Sequence, residues 1–191
     1  MQLISGGVCA AQGFKASGIH CGIRKNRTKR DLALLVSDVP CSAAALYTTN
    51  LVKGAPLTVT KNHLENGVAQ AVICNSGNAN TCNADGIEIA EAMSDLTAKT
   101  LGLQANDIIV ASTGVIGQPL CVDPIAAALP TLAANLNYSG SPEAAEAIMT
   151  TDTIDKQVAV AFTLGGKTCR LGGIAKGSGK IHPNMQPCSS F

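Results

Sequence analysis

The sequence has no tryptophan, two tyrosines and three phenylalanines in 191 residues. A surface that stacks nucleobases needs exposed aromatic rings, so nucleic acid is not an expected partner. Charge is also scarce. The 14 basic and 13 acidic side chains leave a net charge of +1, with no acidic or basic tail to seek a polyanion or an anionic membrane. No apolar run approaches the ~18 residues of a membrane span. Met1-Gln-Leu-Ile-Ser-Gly-Gly has neither the basic start nor the apolar stretch of a secretory signal. A cytoplasmic protein is expected, and the Asn26-Arg-Thr28 and Asn137-Tyr-Ser139 triplets are not expected to carry glycans. None of the eight cysteines forms a Cys-x-x-Cys pair, so no metal site is expected. Their apolar neighbours, as in Val72-Ile-Cys74, point to buried, reduced thiols.

With so few aromatics the core must be built from Ala, Val, Ile and Leu. A chain of this length can form one domain that buries about 70% of its unfolded surface. Leu32–Val36, Ala43–Thr48, Leu57–Thr60, Gln70–Cys74 and Asp107–Ser112 read as strands, with Gln70–Cys74 apolar enough to be central. Ile87–Leu101 reads as a helix capped by Asp85 and ended by Gly102, with Ile89, Met93, Leu96 and Thr100 on one face. Asp123-Pro124 and Ser141-Pro142 open two more helices, and Pro130 is expected to kink or end the first. Gln157–Leu164 and Lys167–Leu171 form a hairpin about Gly165-Gly166. Lys25–Arg30 reads as a solvated hairpin loop, and His20 as a structural histidine rather than a ligand or base.

What the sequence does contain is glycine. Gly172–Met185 places four glycines, a proline, two lysines and a histidine in fourteen positions. Such a stretch suits neither a helix nor an inner strand. It suits a backbone held close to a ligand, with Lys176 or Lys180 as a point charge. Asn75-Ser-Gly-Asn-Ala-Asn80 leaves a strand where sites tend to lie. Its amides could form a polar rim or simply fix the turn. Ser112-Thr113-Gly114 ends another strand and offers a hydroxyl and a backbone N–H, the two donors of an oxyanion hole. Without further context it is a turn. Thr150-Thr-Asp-Thr153 ends the third helix, where Asp152 could make a local turn.

These stretches together resemble the ArgJ family, the ornithine acetyltransferases (glutamate N-acetyltransferases) of arginine biosynthesis. The resemblance runs from Gly7 to Met185 and is carried by Ser-Asp-Val-Pro, Thr-Thr-Asn, Asn-Ser-Gly-Asn-Ala-Asn, Ala-Ser-Thr-Gly-Val-Ile-Gly, Met-Thr-Thr-Asp-Thr and Ala-Lys-Gly-Ser-Gly-x-Ile-His-Pro-Asn-Met. It implies a mixed α/β fold, a four-layer αββα sandwich similar in architecture to the N-terminal-nucleophile hydrolases. Aminopeptidases of that architecture fit the last motif less well. The resemblance also implies an (αβ)₂ assembly made from one precursor, whose Ala–Thr bond cuts itself to free a threonine nucleophile. That threonine would take acetyl from N-acetylornithine and pass it to glutamate by covalent ping-pong transfer. Thr113 and Gly114 would form the oxyanion hole, and Lys176 and Thr150 would hold the amino-acid portion, with Thr153 the competing choice for Thr150. No cofactor or metal is implied, and acetyl-CoA stays open as a second acetyl donor.

The sequence departs from the family pattern after Met185. Residues 1–185 correspond to the α-chain domain. Residues 186–191 read Gln-Pro-Cys-Ser-Ser-Phe where the family has Ala-Thr-Met-Leu, so Pro187 occupies the nucleophile position and the β chain is absent. Such a chain would be inactive alone. One alternative is a non-catalytic fragment, and another is an α subunit that pairs with a separately made β chain. The tail is expected to come from a single-base deletion, because one base added after the Met185 codon can turn Gln-Pro-Cys-Ser-Ser into Ala-Thr-Met-Leu. Sequencing the coding DNA from that codon onward is expected to reveal this frame; a β-like frame with its own start would favour separate subunits.

Overall fold

The computed structural model describes residues 1–25 and 28–177. Its central sheet consists of β2 (Phe14–Ile19), β3 (Leu32–Ser42), β4 (Val68–Asn75) and β5 (Ile108–Ser112), in that order. The pairs β2–β3 and β3–β4 are antiparallel, whereas β4–β5 is parallel. Strands buried on both faces need apolar residues at successive positions, not alternate ones. Leu32-Ala-Leu-Leu35 has that pattern, and all four side chains are buried.

Three helices cover one face: α1 (Ala55–His63), α2 (Gly86–Leu101) and α3 (Asp123–Ala134). They pack on Leu32, Leu34, Ile73, Ile108 and Val110 with Val59, Met93, Ile125 and Leu129. On the other face Ala33, Leu35 and Cys74 meet α4 (Ser141–Ala147), a 3₁₀ turn at Gly7–Ala10 and Ile174 of a second sheet. That sheet has the order β1 (Gln2–Leu3), β6 (Lys156–Leu164), β7 (Lys167–Ala175). Gly165 and Gly166 join β6 to β7 with φ of 57° and 76°, the left-handed pair that a tight hairpin turn requires. The fold is mixed α/β, and its layers are consistent with an αββα sandwich.

The outer face of the second sheet is left bare. Val158, Val160 and Leu164 lie on one side of β6 by the two-residue period, with Leu3 and Leu171 both opposite Val160. Leu3, Val158, Leu164 and Leu171 are 57–74% exposed. An apolar patch of this kind marks an interaction surface.

An edge strand such as β5 presents unpaired backbone groups that invite aggregation. Here α1 supplies the partners. Thr60 Oγ1 donates to the Val110 carbonyl at 2.9 Å and accepts the Val110 N–H at 3.2 Å. His63 Nδ1 donates to the Ile108 carbonyl at 2.8 Å. This arrangement corrects the strand expected at Leu57–Thr60. Pro56 in the first helical turn was the overriding signal, because proline is preorganised there. Nor do Ala43–Thr48 form a strand. They run outside both sheets with Leu46 exposed.

Smaller differences have local causes. The buried stripe of α2 runs through Ala90, Met93, Ser94, Thr97 and Ala98, and Thr100 is exposed. Small residues let the helix lie close, and Ser94 and Thr97 satisfy their hydroxyls on the Ala105 and Met93 carbonyls. Helix α3 continues through Pro130, which sits on its exposed side. All seven cysteines among the described residues are free, yet only Cys9 and Cys74 are buried, and Cys82 and Cys121 are exposed. Thr60→Val should leave the Val110 N–H and C=O unpaired and lower stability by about 1–3 kcal/mol in urea unfolding.

Candidate active site

In an open sheet, sites form beyond the carboxyl ends of neighbouring parallel strands. Among the described strands the parallel pair is β4–β5, where Asn75 lies opposite Ser112. Asn75 is fully buried, so each of its polar atoms must find a partner. Its Nδ2 donates to Ser112 Oγ at 2.7 Å. Its Oδ1 accepts the N–H groups of Gly77 and Asn78, at 3.3 and 3.1 Å. Its carbonyl accepts the Thr113 N–H at 2.9 Å.

The following asparagines are also spent on backbone. Asn78 Oδ1 accepts the Asn80 N–H at 2.8 Å, and its Nδ2 donates to the Gln118 carbonyl at 2.9 Å. Asn80 Nδ2 donates to the Gly86 carbonyl at 2.7 Å, which ties the loop to the start of α2. All three asparagine side chains are internal scaffold and do not form a rim facing a ligand.

That scaffold shapes the Thr113–Gly114 turn. Gly114 has φ of 131°, and a Cβ there would lie 2.5 Å from the Gly77 carbonyl carbon, so only glycine fits. Among the described residues the Gly114 N–H has no hydrogen-bond partner, and neither has the Thr113 hydroxyl. Two donors are thus left uncommitted at the end of β5, with Gly114 exposed and Thr113 half-buried. Uncommitted donors at one turn can stabilise a negative oxygen.

Thr150 and Lys176 lie on two other segments that arrive at this end. Arg24 links the first to the loop after β4. Its Nε donates to the Ser76 carbonyl at 3.0 Å, and its Nη2 donates to the Met149 carbonyl, directly before Thr150. The fully buried Asp31 holds the Arg24 turn by accepting the Cys21 and Arg24 N–H groups at 2.6 and 2.8 Å. Lys176, at the exit of β7, is close enough to Cys74 for its charge to act on that thiol. Burial dominates and pushes the thiol up to about 12, against the lowering effect of the Lys176 charge. Thr113 and Gly114 follow β5, Arg24 ties the segment before Thr150 to the loop after β4, and Lys176 lies two residues beyond Ile174, which shares a core cluster with Cys74.

Asp152 joins the last two of these. Its carboxylate accepts the Thr150 N–H at 3.2 Å, the Gly177 N–H at 2.7 Å and Lys156 Nζ at 2.7 Å. Burial pushes this carboxyl up. The hydrogen bonds from Lys156, Gly177 and Thr150, with the Lys156 charge, outweigh that and lower it from 3.8 to about 2. Thr153, the competing choice, is exposed and carries no such tie.

Arg24, Asp31 and Asp152 were not singled out from the sequence as site residues. The available signal was a charged residue set against apolar segments, as in Asp31-Leu-Ala-Leu. His20 is structural, with Nδ1 at 3.0 Å from the Lys29 carbonyl and 3.2 Å from Asp31. It lines an open depression of about 420 Å³ with Ser17, Arg30 and Glu143, two strands away from β4 at the outer edge of β2. Lys180, Pro187 and Cys188 lie outside the described residues. No helix among the described residues is long and apolar enough to cross a membrane.

The family model that matches the chain is that of the ArgJ family, over residues 15–190. The arginine biosynthesis bifunctional protein ArgJ of Symbiobacterium thermophilum is 49% identical over the whole chain, and that of Thermosynechococcus vestitus is 47% identical. The chain covers 48% and 46% of these two proteins, so it spans about half the length of the curated relatives it matches. Among solved structures, ArgJ from Bacillus halodurans superposes with a TM-score of 0.90 at 41% identity, covering 97% of both chains. The ornithine acetyltransferase from Mycobacterium tuberculosis, solved in complex with ornithine, gives 0.89 at 36% identity, covering 96% of this chain and 98% of that one.

The Asp152 carboxyl sets a pH dependence. Its folded value lies below its unfolded one, so its stabilisation is complete above pH 3.8 and is lost as pH falls towards 2. Urea unfolding midpoints measured from pH 5 to 2 should fall across that window, and Asp152→Asn should remove this part of the fall.

Proposed function

The chain belongs to the ArgJ family, and from that premise we propose that it is the α-chain portion of an acetyltransferase that moves acetyl from N-acetylornithine to glutamate. The observation that carries this reading is the pair of uncommitted donors at Thr113 and Gly114, on a turn that buried asparagines shape. In the proposed cycle a threonine at the start of the C-terminal half attacks the acetyl carbonyl. The Thr113 hydroxyl and the Gly114 N–H then stabilise the developing oxyanion, each contributing about 3 kcal/mol. The C–N bond breaks as the leaving amine takes a proton, and ornithine departs. Acetyl stays on the threonine oxygen until the amine of glutamate displaces it. Thr150 and Lys176 hold the amino-acid part of either substrate. Acetyl-CoA is a second candidate donor, and no cofactor takes part. The site of action is the cytoplasm.

The C-terminal half is the proposed partner for the bare sheet face formed by Leu3, Val158, Leu164 and Leu171, and two such pairs make the (αβ)₂ assembly. Pro187 has no hydroxyl to serve as the nucleophile, so the chain alone is inactive. Acetyl transfer from N-acetylornithine to glutamate should therefore be undetectable with the chain alone. It should appear when a C-terminal half starting with threonine is co-expressed, and Thr113→Ala should then cost about 100- to 1000-fold in kcat. Turnover by the chain alone would overturn the assignment of the nucleophile.

A further inference from the structure

We propose that Asp152 is the positioning residue of the amino-acid subsite, holding Thr150 and Lys176 at one fixed spacing for the substrate; this rests on the acetyltransferase reading. Three features carry it. First, the Asp152 side chain is only 3% exposed, although it sits in a polar turn. A buried carboxylate is retained only when its oxygens are paired. Second, its partners come from three segments: Thr150 after α4, Lys156 at the start of β6, and Gly177 after β7, 25 residues further along the chain. Third, the approach to Gly177 is close. A Cβ on Gly177 would lie 2.5 Å from Asp152 Oδ1, so a larger residue there would displace the carboxylate.

Lys176 directly precedes Gly177, and its Nζ folds back to the Gly177 carbonyl at 2.7 Å. Anchoring the Gly177 N–H therefore anchors the backbone from which the ammonium projects. The same carboxylate anchors the N–H of Thr150. The two substrate-contact residues thus share one support, although neither touches the other through any bond described above.

The chemistry of the support is specific. Thr150 N–H, Gly177 N–H and Lys156 Nζ are all donors, and a carboxylate only accepts. Asp152→Asn would aim an amide N–H at one of these donors. Asp152→Glu would push a longer side chain into the space that Gly177 leaves. Lys156 contributes differently, because it is 43% exposed and its ion pair is partly solvated. Its loss would leave both backbone N–H bonds to the carboxylate in place.

The test uses the chain co-expressed with a threonine-initiated C-terminal half. Asp152→Asn should raise KM for both N-acetylornithine and glutamate and lower kcat/KM by about 10- to 100-fold, the cost of a misplacement near 1 Å. Gly177→Ala should do the same through its Cβ. Lys156→Met, which keeps both backbone N–H bonds to the carboxylate, should cost less in kcat/KM than Asp152→Asn. A role confined to stability would lower the active fraction, and so kcat, with KM unchanged. That result, or Lys156→Met matching Asp152→Asn, would overturn the proposal. Amide hydrogen exchange at Thr150 and Gly177 gives a second readout, expected to quicken at least about tenfold in Asp152→Asn once its acceptor is lost. If the wild-type pair transfers no acetyl, the acetyltransferase reading fails by itself. Exchange then decides the role of Asp152, and unchanged exchange at both amides would overturn it.

Discussion

The buried carboxamide of Asn75 is the interaction on which the candidate site depends. It sits where β4 and β5 end side by side, in a place that water does not reach. Leaving any of its polar atoms unpaired there costs about 1–3 kcal/mol. The surrounding chain therefore wraps to meet it: Ser112 gives an acceptor, Gly77 and Asn78 turn their N–H groups inward, and Thr113 donates its own N–H. Because the Thr113 N–H is taken, the next N–H and the Thr113 hydroxyl are what the turn has left to offer.

The same logic recurs at the two other supports. Asp31 is buried at the start of β3, and it pulls the Cys21–Arg24 turn over the sheet end. Arg24 is then placed to bridge two backbone carbonyls, Ser76 and Met149. Asp152 does for the β7 exit what Arg24 does for the α4 exit. In each case a charged side chain, buried at Asp31 and Asp152 and half-buried at Arg24, bonds to backbone groups outside its own turn or strand. Satisfying it also sets the relative placement of those segments. The candidate site is thus held by buried polar groups beneath it, while the residues that would meet a ligand make few bonds of their own.

Much of this was legible in the sequence where local rules act alone. The β6–β7 hairpin followed from Gly165-Gly166, β4 from its apolar run, and the C-terminal end of α2 from Gly102, whereas Asp85 stands at the N-cap without a side-chain capping bond. The segment at Leu57–Thr60 was misjudged because four alternating residues mimic a strand. The preceding Pro56 and the edge of β5 decide for a helix instead. The asparagine run was legible as a motif but not in its role. Whether an amide faces a ligand or the backbone depends on what lies within about 3 Å of it, and that is a property of folded neighbours.

The sequence by itself determined the family, the mixed α/β class, and the identity of Thr113, Gly114, Thr150 and Lys176 as site candidates, because these rest on motifs and on local periodicity. Only the tertiary structure decided which buried side chains support these four candidates, which lie up to 63 positions apart on separate segments (113 to 176). It also decided which donors stay without a partner among the described residues. Asp31, Arg24 and Asp152 show why. A charged residue in a loop has the same local signature whether it is solvated or buried, and only long-range packing removes the water that would otherwise satisfy it.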